Sequence, residues 1–407
     1  MTVGKLVVPA VDVPRVSVVL IMFGRSDLAL QAVAALIDHT PPCYELIIVD
    51  NASPDESLAV IREHVTGAII VANDLNVGFS AGVSVGALHA RGEFLLLLNS
   101  DVFVESGWLP PLLEVLDADR RIAGVSPTLL NLDGTVQEAG STLFASGETR
   151  ALRGGERWAC DFRRQVPYVS AACLMVRRSV YSRLGGFDTA YGRGYFEDVD
   201  FALELEAIGL SLALVPSSLA RHVQGGSSTT ESAWQQTFRN SRIFTERWKH
   251  RLMLLPHLIT VDTVHGRADS QGSLLRGRDA MAADRALVID DGERSADVAV
   301  TLARNVPAMR VTFLAADLQR AEELAASLLD AGVEVAACSL GDSTSWLEER
   351  FGHYSMVVSQ SVAVGARALA IVRTQPQAMV LELRDDVSAE AVVELMADFG
   401  VAPPVSA

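Results

Sequence analysis

The residues best able to do chemistry fall in three groups. The first closes a run of leucines: Leu95–Leu98 leads into Asn99, Ser100 and Asp101. A short, wholly apolar run suits a strand buried on both faces of a parallel sheet. Its carboxyl end delivers one carboxylate to the rim of the sheet, where ligands of open α/β sheets bind. An Asp there can hold a divalent cation against a phosphate, because magnesium is usually held by one or two carboxylates plus substrate phosphates. Ser100 or Asp101 would equally serve as the N-cap of a following helix. The second group puts Glu197, Asp198 and Asp200 within four residues. A carboxylate can act as a general base on an acceptor hydroxyl, and neighbouring acids raise its proton affinity by like-charge repulsion. Three acids also suit the first turn of a helix, where they meet the positive end of its dipole. The third group is Asp50-Asn51 and the Asn73–Asn76 turn. An Asp and an Asn match the N3–H and carbonyls of a pyrimidine, and carboxylates match ribose hydroxyls, although turns use the same residues.

The elements that must position these groups alternate regularly. Val16–Phe23 reads as a buried strand that breaks at Gly24. Ser26–Asp38 is apolar at helical spacing and stops before Thr40, Pro41 and Pro42. Tyr44–Val49 is a second strand, Leu58–His64 a helix, Ala68–Val71 a third strand, Ser80–Ala90 a small, apolar helix, and the leucine run a fourth strand. This β-α-β-α-β-α-β order predicts a parallel sheet covered by helices, with the polar strand ends converging on one cleft. Further on, a strand edge and helix are expected after Asp101, and a strand at Val125–Leu130. Gly-rich Asn131–Arg164, with Trp158, reads as a long loop or flap over the cleft. Small, apolar Ser170–Val176 follows, then a helix from Arg177 and Arg178 to Leu184.

Composition narrows the class. The chain has 407 residues, 49% of them hydrophobic, and a formal net charge of −16. That length allows two or three domains, and that charge argues against nucleic acid as a main partner. Cys43, Cys160, Cys173 and Cys338 show no CxxC or CxxH spacing, which fits reduced thiols in a cytoplasmic protein. The N-terminal apolar stretch is interrupted by prolines and Asp12, so no signal peptide is expected. Nor does any apolar run approach the length of a membrane span.

VSVVLIMF, IIVDNAS, NVGFSAG, LLLLNSD, YVSAACLMVRRSVYSRLGGFD, YFEDVDF and RHVQGGSS, in that order, resemble an inverting family 2 glycosyltransferase of the GT-A fold, nearest its rhamnosyltransferase-like branch. The resemblance covers roughly residues 14–250. It implies that Phe23, Asp50, Asn51, Asn76, Gly78, Asn99 and Ser100 line the nucleotide, with Asp50 on the base. Asp101 is then the acid of an Asp-X-Asp element whose first position is Asn99, holding Mg2+ or Mn2+ against the donor diphosphate. It further implies that Asp198 is the base, with Glu197 beside it, and that His222 joins Asp101 on the metal or touches the diphosphate. Gly225 and Gly226 would bring backbone amides to the diphosphate, and Arg239 and Arg242 on the following helix are candidate phosphate contacts or equally an exposed helix face. Two positions depart from the family pattern: Glu204 stands where relatives often carry Arg, and Gly24 where many carry Asn. The implied partners are a nucleoside diphosphate sugar, dTDP-rhamnose or a UDP-sugar, and a saccharide or lipid-linked acceptor.

Residues 251–284 read as a linker whose apolar start, LMLLPHLI, packs on the domain or rests peripherally on a membrane. From Arg285 the alternation restarts, with strands expected at Ala286–Ile289, Arg310–Leu314, Val333–Ala337, Ser355–Val358 and Ala378–Leu381 and a closing helix at Ser388–Asp398. This predicts a smaller doubly wound α/β domain over 285–400, Rossmann-like, that binds an acceptor or partner. Asp290-Asp291-Gly292 weakly resembles the start of a GT-B glycosyltransferase half, but no GxGxxG follows to support dinucleotide binding. Two competing readings of the whole chain are a nucleotidyltransferase of similar fold, for which Phe23-Gly24-Arg25-Ser26 makes a poor triphosphate loop, and a non-catalytic scaffold.

Overall fold

The computed structural model describes residues 4–151, 164–223, 230–255, 257–262, 267–268, 285–290, 294–306, 310–315, 318–337, 354–359, 374–383, 388–389 and 391–392. The chain divides into two compact units, one formed by Met1–Ser141 and Arg153–Arg247, the other by Thr142–Leu152 and Trp248–Ala407.

Unit 1 is built on four parallel strands, β1 (Val16–Met22), β2 (Tyr44–Asp50), β3 (Ile69–Ala72) and β4 (Phe94–Asn99). They lie in the order β4-β1-β2-β3. Helices α1 (Ser26–His39), α2 (Ser57–His64) and α3 (Gly78–Ala87) make the crossovers. Leu95–Leu98 are fully buried, and each contributes about 1.5–3 kcal/mol by leaving water. Helix α3 owes its place to its small residues. A side chain at Gly86 would put its Cβ 2.4 Å from Val19 Cγ1, so glycine there lets the helix lie directly on the sheet.

Beyond β4 the sheet becomes mixed. β5 (Val102–Val104), helix α4 (Leu109–Ala118) and β6 (Ile122–Leu130) are followed by β7 (Cys173–Arg177), helices α5 (Arg178–Leu184) and α6 (Glu197–Ala207), and β8 (Ser211–His222). β7 runs antiparallel between β4 and β6, and β8 runs parallel to β6. The sheet is therefore less parallel than expected, because β7 runs antiparallel to both its neighbours, β4 and β6. The expectation of a flap also needs correcting. Within Asn131–Arg164, residues Val136–Glu138 form a strand on β6, Ser141–Leu143 pairs with Thr149–Ala151, and Val136, Ala139, Leu143 and Phe144 are buried. A polar count of the segment overlooks these buried apolar residues; Trp158 lies outside the described residues.

Unit 2 contains a seven-stranded sheet. His257–Asp262, Thr374–Leu383, Tyr354–Ser359, Arg285–Ile289, Arg310–Ala315 and Glu334–Ala337 lie side by side and parallel, with Arg267–Ala268 antiparallel at one edge. Helices Ser295–Asn305 and Leu318–Asp330 connect neighbouring strands. His257–Asp262 falls in the stretch read as linker; its β-branched, apolar character makes it a strand of this sheet. Asp291, Gly292 and the end of the expected closing helix lie outside the described residues. No helix among them is long and apolar enough to cross a membrane.

Candidate active site

The carboxyl edge of β1, β2, β3 and β4 gathers the polar strand ends, and it is also where the backbone is most constrained. Among the described residues, four other than glycine adopt positive φ, and all lie at this edge or in the loop before α6: Arg25 (54°), Ala52 (60°), Tyr195 (73°) and Phe196 (76°). Such conformations cost energy and cluster where a site must be held.

Asp50 is buried and holds the loop after β2: Ser53 donates to it through both hydroxyl and backbone N–H, and Gly24 N–H donates to Ser53 Oγ at 2.7 Å. Phe23, half-buried, follows β1 directly and precedes Gly24. Asn51 is saturated. Its Nδ2 donates to Asn76 Oδ1 and Gly78 O, and its Oδ1 accepts from Asn73 Nδ2 and Val77 N, all at 3.1 Å. Its amide is spent on the Asn73–Gly78 loop, which makes Asn51 the loop's anchor. Gly78 has a φ of 84°, and a Cβ there would lie 2.2 Å from Gly192 O. Only glycine allows the loop after β3 to meet the loop before α6.

Asn99 and Ser100 are half-buried at the end of β4, and Asp101 is buried. Strand β8 pairs antiparallel with β5, His222 opposite Val102, and Val223 N–H donates to Asp101 O at 3.0 Å. That register sets the His222 imidazole against the Asp101 carboxylate, Nε2 to Oδ1 at 3.4 Å. On its far side, His222 Nδ1 lies 2.7 Å from Gln137 Oε1. No group of three or more His, Cys, Asp or Glu side chains among the described residues is placed to hold a metal. The donor set of Asp101 and His222 nevertheless fits a divalent cation that takes its remaining ligands from diphosphate and water.

Asp198 sits in the first turn of α6, half-buried, and its Oδ2 accepts from Ala171 N–H at 3.2 Å. The next residue, Ala172, accepts from Asn99 N–H at 2.9 Å. Two hydrogen bonds to adjacent residues thus tie Asp198 to the end of the leucine strand. Glu197 is buried, and its Oε2 has no hydrogen-bond partner. Burial first, and then the charge of Asp198, hold the Glu197 carboxyl well above the ordinary range. Burial raises Asp198 too, against the opposing pull of the Ala171 and Val199 N–H groups. The two acids therefore differ in their surroundings: Asp198 is hydrogen-bonded to Ala171, and Glu197 is buried beside it with a raised proton affinity.

Asp200 is structural. It accepts from Tyr191 Oη at 2.9 Å and pairs with Arg247 at 3.0 Å. Arg247 comes from helix α7 (Thr230–Leu252) and also binds Asp188 and Glu204, both at 2.6 Å. The acid at position 204 is thereby answered by a guanidinium from another helix. About two turns earlier, fully buried Asn240 donates to the carbonyls of Tyr191, Gly194 and Tyr195 at 2.8–2.9 Å. Between them Phe244 packs on Phe196, ring centroids 5.3 Å apart. One face of α7 therefore grips the strained loop that presents Asp198. Arg239 is turned to this loop as well, donating to Ala190 O.

Residues 17–185 match the family described as "Glycosyl transferase family 2". This supports a family 2 glycosyltransferase domain in unit 1. The chain is 29% identical over 241 residues to the "O-antigen biosynthesis protein RfbC" of Myxococcus xanthus, an alignment covering 55% of this chain and 18% of that relative. It is 25% identical over 239 residues to "Polypeptide N-acetylgalactosaminyltransferase 11" of Xenopus tropicalis, covering 52% of this chain and 38% of the relative. The chain thus spans well under half the length of either. Among solved structures, that of GalNAc-T7 with UDP, GalNAc and Mn2+ aligns at a TM-score of 0.46 and 19% identity, covering 58% of this chain and 48% of that one.

The family 2 match ends before Glu197, Asp198 and His222, so these rest on motif order and on the geometry above. The structure brings Asp101 and His222 together and ties Asp198 to the same strand end; Gly225 and Gly226 lie outside the described residues. Sequence reasoning missed Gln137, Asn240 and Arg247. Asn240, Phe244 and Arg247 carried a signal, since positions i, i+4 and i+7 share one helix face. Gln137 had none, because its segment read as a loop.

Proposed function

We propose that unit 1 is an inverting glycosyltransferase that moves a sugar from a nucleoside diphosphate sugar to an acceptor hydroxyl. The observation that carries this reading is the pairing of His222 with Asp101 at the strand end to which Asp198 is also tied. Asp101 and His222 would hold Mg2+ or Mn2+, and when bound the ion supplies positive charge for the leaving diphosphate. Asp50, with Phe23 nearby, would receive the base, and Asn76, Gly78, Asn99 and Ser100 the rest of the nucleoside and diphosphate. Asp198 accepts the proton of the acceptor hydroxyl as its oxygen attacks the anomeric carbon opposite the departing diphosphate. Burial strengthens it as a base. The raised proton affinity of Glu197 disfavours a second negative charge near the diphosphate.

The donor is dTDP-rhamnose or a UDP-sugar, and the acceptor a saccharide or a lipid-linked saccharide in cell-surface glycoconjugate synthesis, in the cytoplasm or at the inner face of its membrane. The relatives' names, one in O-antigen biosynthesis and the other an N-acetylgalactosaminyltransferase, support the class of reaction and leave the sugar to experiment. The test is calorimetric binding of UDP and dTDP, with and without Mn2+ or Mg2+, to the wild type and to Asp101→Ala. Metal-dependent binding that the substitution removes is the expected result. Absence of binding with metal present would favour the scaffold reading.

A further inference from the structure

Gln137 stands at a bulge. Leu129 faces Glu138 and Leu130 faces Val136, so Gln137 is the extra residue on its strand. Bulges commonly re-aim a side chain, and this one aims a buried amide at His222. The orientation of that amide is fixed by its partners. Nε2 donates to the carbonyl oxygen of His222 at 2.9 Å and to Asn131 Oδ1 at 3.0 Å. A backbone carbonyl can only accept, so the nitrogen must face it. Oε1 therefore faces His222 Nδ1, at 2.7 Å, and can only accept from it. In the neutral imidazole the proton then resides on Nδ1, and Nε2 presents its lone pair to the Asp101 side, 3.4 Å from Oδ1.

We propose that Gln137 is the positioning residue of this centre. It locks His222 in the Nδ1–H tautomer and turns Nε2 toward the place a divalent cation would take beside Asp101. The part concerning the cation rests on the reading given under Proposed function; the part concerning the tautomer does not. Each atom of the amide has a separate task. Oε1 selects the tautomer, and Nε2 anchors the amide to the His222 backbone, so the imidazole cannot rotate without breaking its bond to Oε1.

Two measurements test this. The first is long-range 1H–15N NMR on metal-free, 15N-histidine-labelled full chain at a pH where the imidazole is neutral, with His222 assigned by its loss in His222→Ala. The Nδ1–H pattern is expected for the wild type and for Gln137→Glu, which keeps an acceptor at Oε1, and a shift toward Nε2–H is expected for Gln137→Leu. An Nε2–H pattern in the wild type, or the same pattern in Gln137→Leu as in wild type, overturns the proposal. The second is Mn2+ affinity in the presence of UDP. Gln137→Leu should weaken it about 10–100-fold and Gln137→Glu by less than about threefold, as expected when a ligand's hydrogen-bond partner is lost or kept. Both variants lose the Nε2–H donor, so a merely structural role would impair them equally, and that outcome also overturns the proposal. If His222→Ala and Asp101→Ala keep wild-type Mn2+ affinity, the metal reading falls and the NMR result still decides the tautomer. If His222→Ala weakens binding and Gln137→Leu does not, Gln137 loses its role while the metal reading stands.

Discussion

Asp198 and Glu197 are neighbours in sequence with opposite surroundings, and each supports a different expectation. Asp198→Asn keeps the size of the side chain and its bond from Ala171 but cannot take a proton. Steady-state turnover should fall by about 10²–10⁴-fold, the usual contribution of a general base, while calorimetric binding of nucleotide and metal stays near wild type. Loss of both together would argue against Asp198 as base. Glu197 has a folded-state proton affinity above that of the unfolded chain. Between the ordinary carboxylate range and its raised value, the folded state keeps a proton that the unfolded state has released. Stability is therefore lost as pH rises through that window. Glu197→Gln removes the penalty, so its melting temperature should exceed the wild type's at pH 8 and approach it near pH 4. A constant difference across this range would show that burial of the carboxyl carries no such cost. These roles were only half legible in the sequence. Three acids in four residues announce chemistry or a helix start, and which acid faces the edge depends on Ala171, a residue with no polar side chain to draw attention.

At the level of elements, the strands after which a ligand would sit were readable from apolar runs ending in Asp and Asn, because burial on both faces leaves little room for other residues. The antiparallel return of β7 and the partnership of β5 with β8 were not, since periodicity within a strand says nothing about which distant strand it joins. The same limit hid α7. Its sequence reads as an amphipathic helix with several basic residues, and what those residues hold becomes clear once Asn240 meets three carbonyls of the loop before α6. Asn240→Ala should cost about 1–3 kcal/mol by leaving buried carbonyls without donors. It should also lower turnover more than donor binding, measured by denaturant unfolding and steady-state kinetics; unchanged turnover would separate α7 from the base. Gly78→Ala tests the other side of the same contact. A methyl group 2.2 Å from Gly192 O, at a φ of 84°, forces the two loops apart. A loss of about 1–3 kcal/mol is expected for a strained backbone position, with weakened nucleotide binding by calorimetry.

Among the described residues, each unit has a buried hydrophobic cluster of its own. One includes Val18, Leu20, Leu36, Leu96, Leu98, Trp108 and Leu112, and the other Val288, Val298, Leu302, Phe313 and Leu328. Differential scanning calorimetry should resolve two unfolding transitions. UDP with Mn2+ should raise one of them by about 2.7 kcal/mol of stabilisation at a hundredfold excess over the dissociation constant, and a single transition moved as a whole would show that the cores unfold together.

The leucine strand has one more consequence, in the order in which the chain is made. β4 is paired on one side by β1, which precedes it, and on the other by β7, which follows some distance later. About 75 residues separate Leu98 from its partner Cys173, so at ribosomal speeds of roughly 5–20 residues per second the most apolar strand of the protein has an open edge for several seconds. Open apolar edges recruit other chains. A fragment ending near residue 150 should therefore precipitate where one ending after β8 remains soluble, and a nascent chain stalled in that interval is the form of this protein most in need of a chaperone.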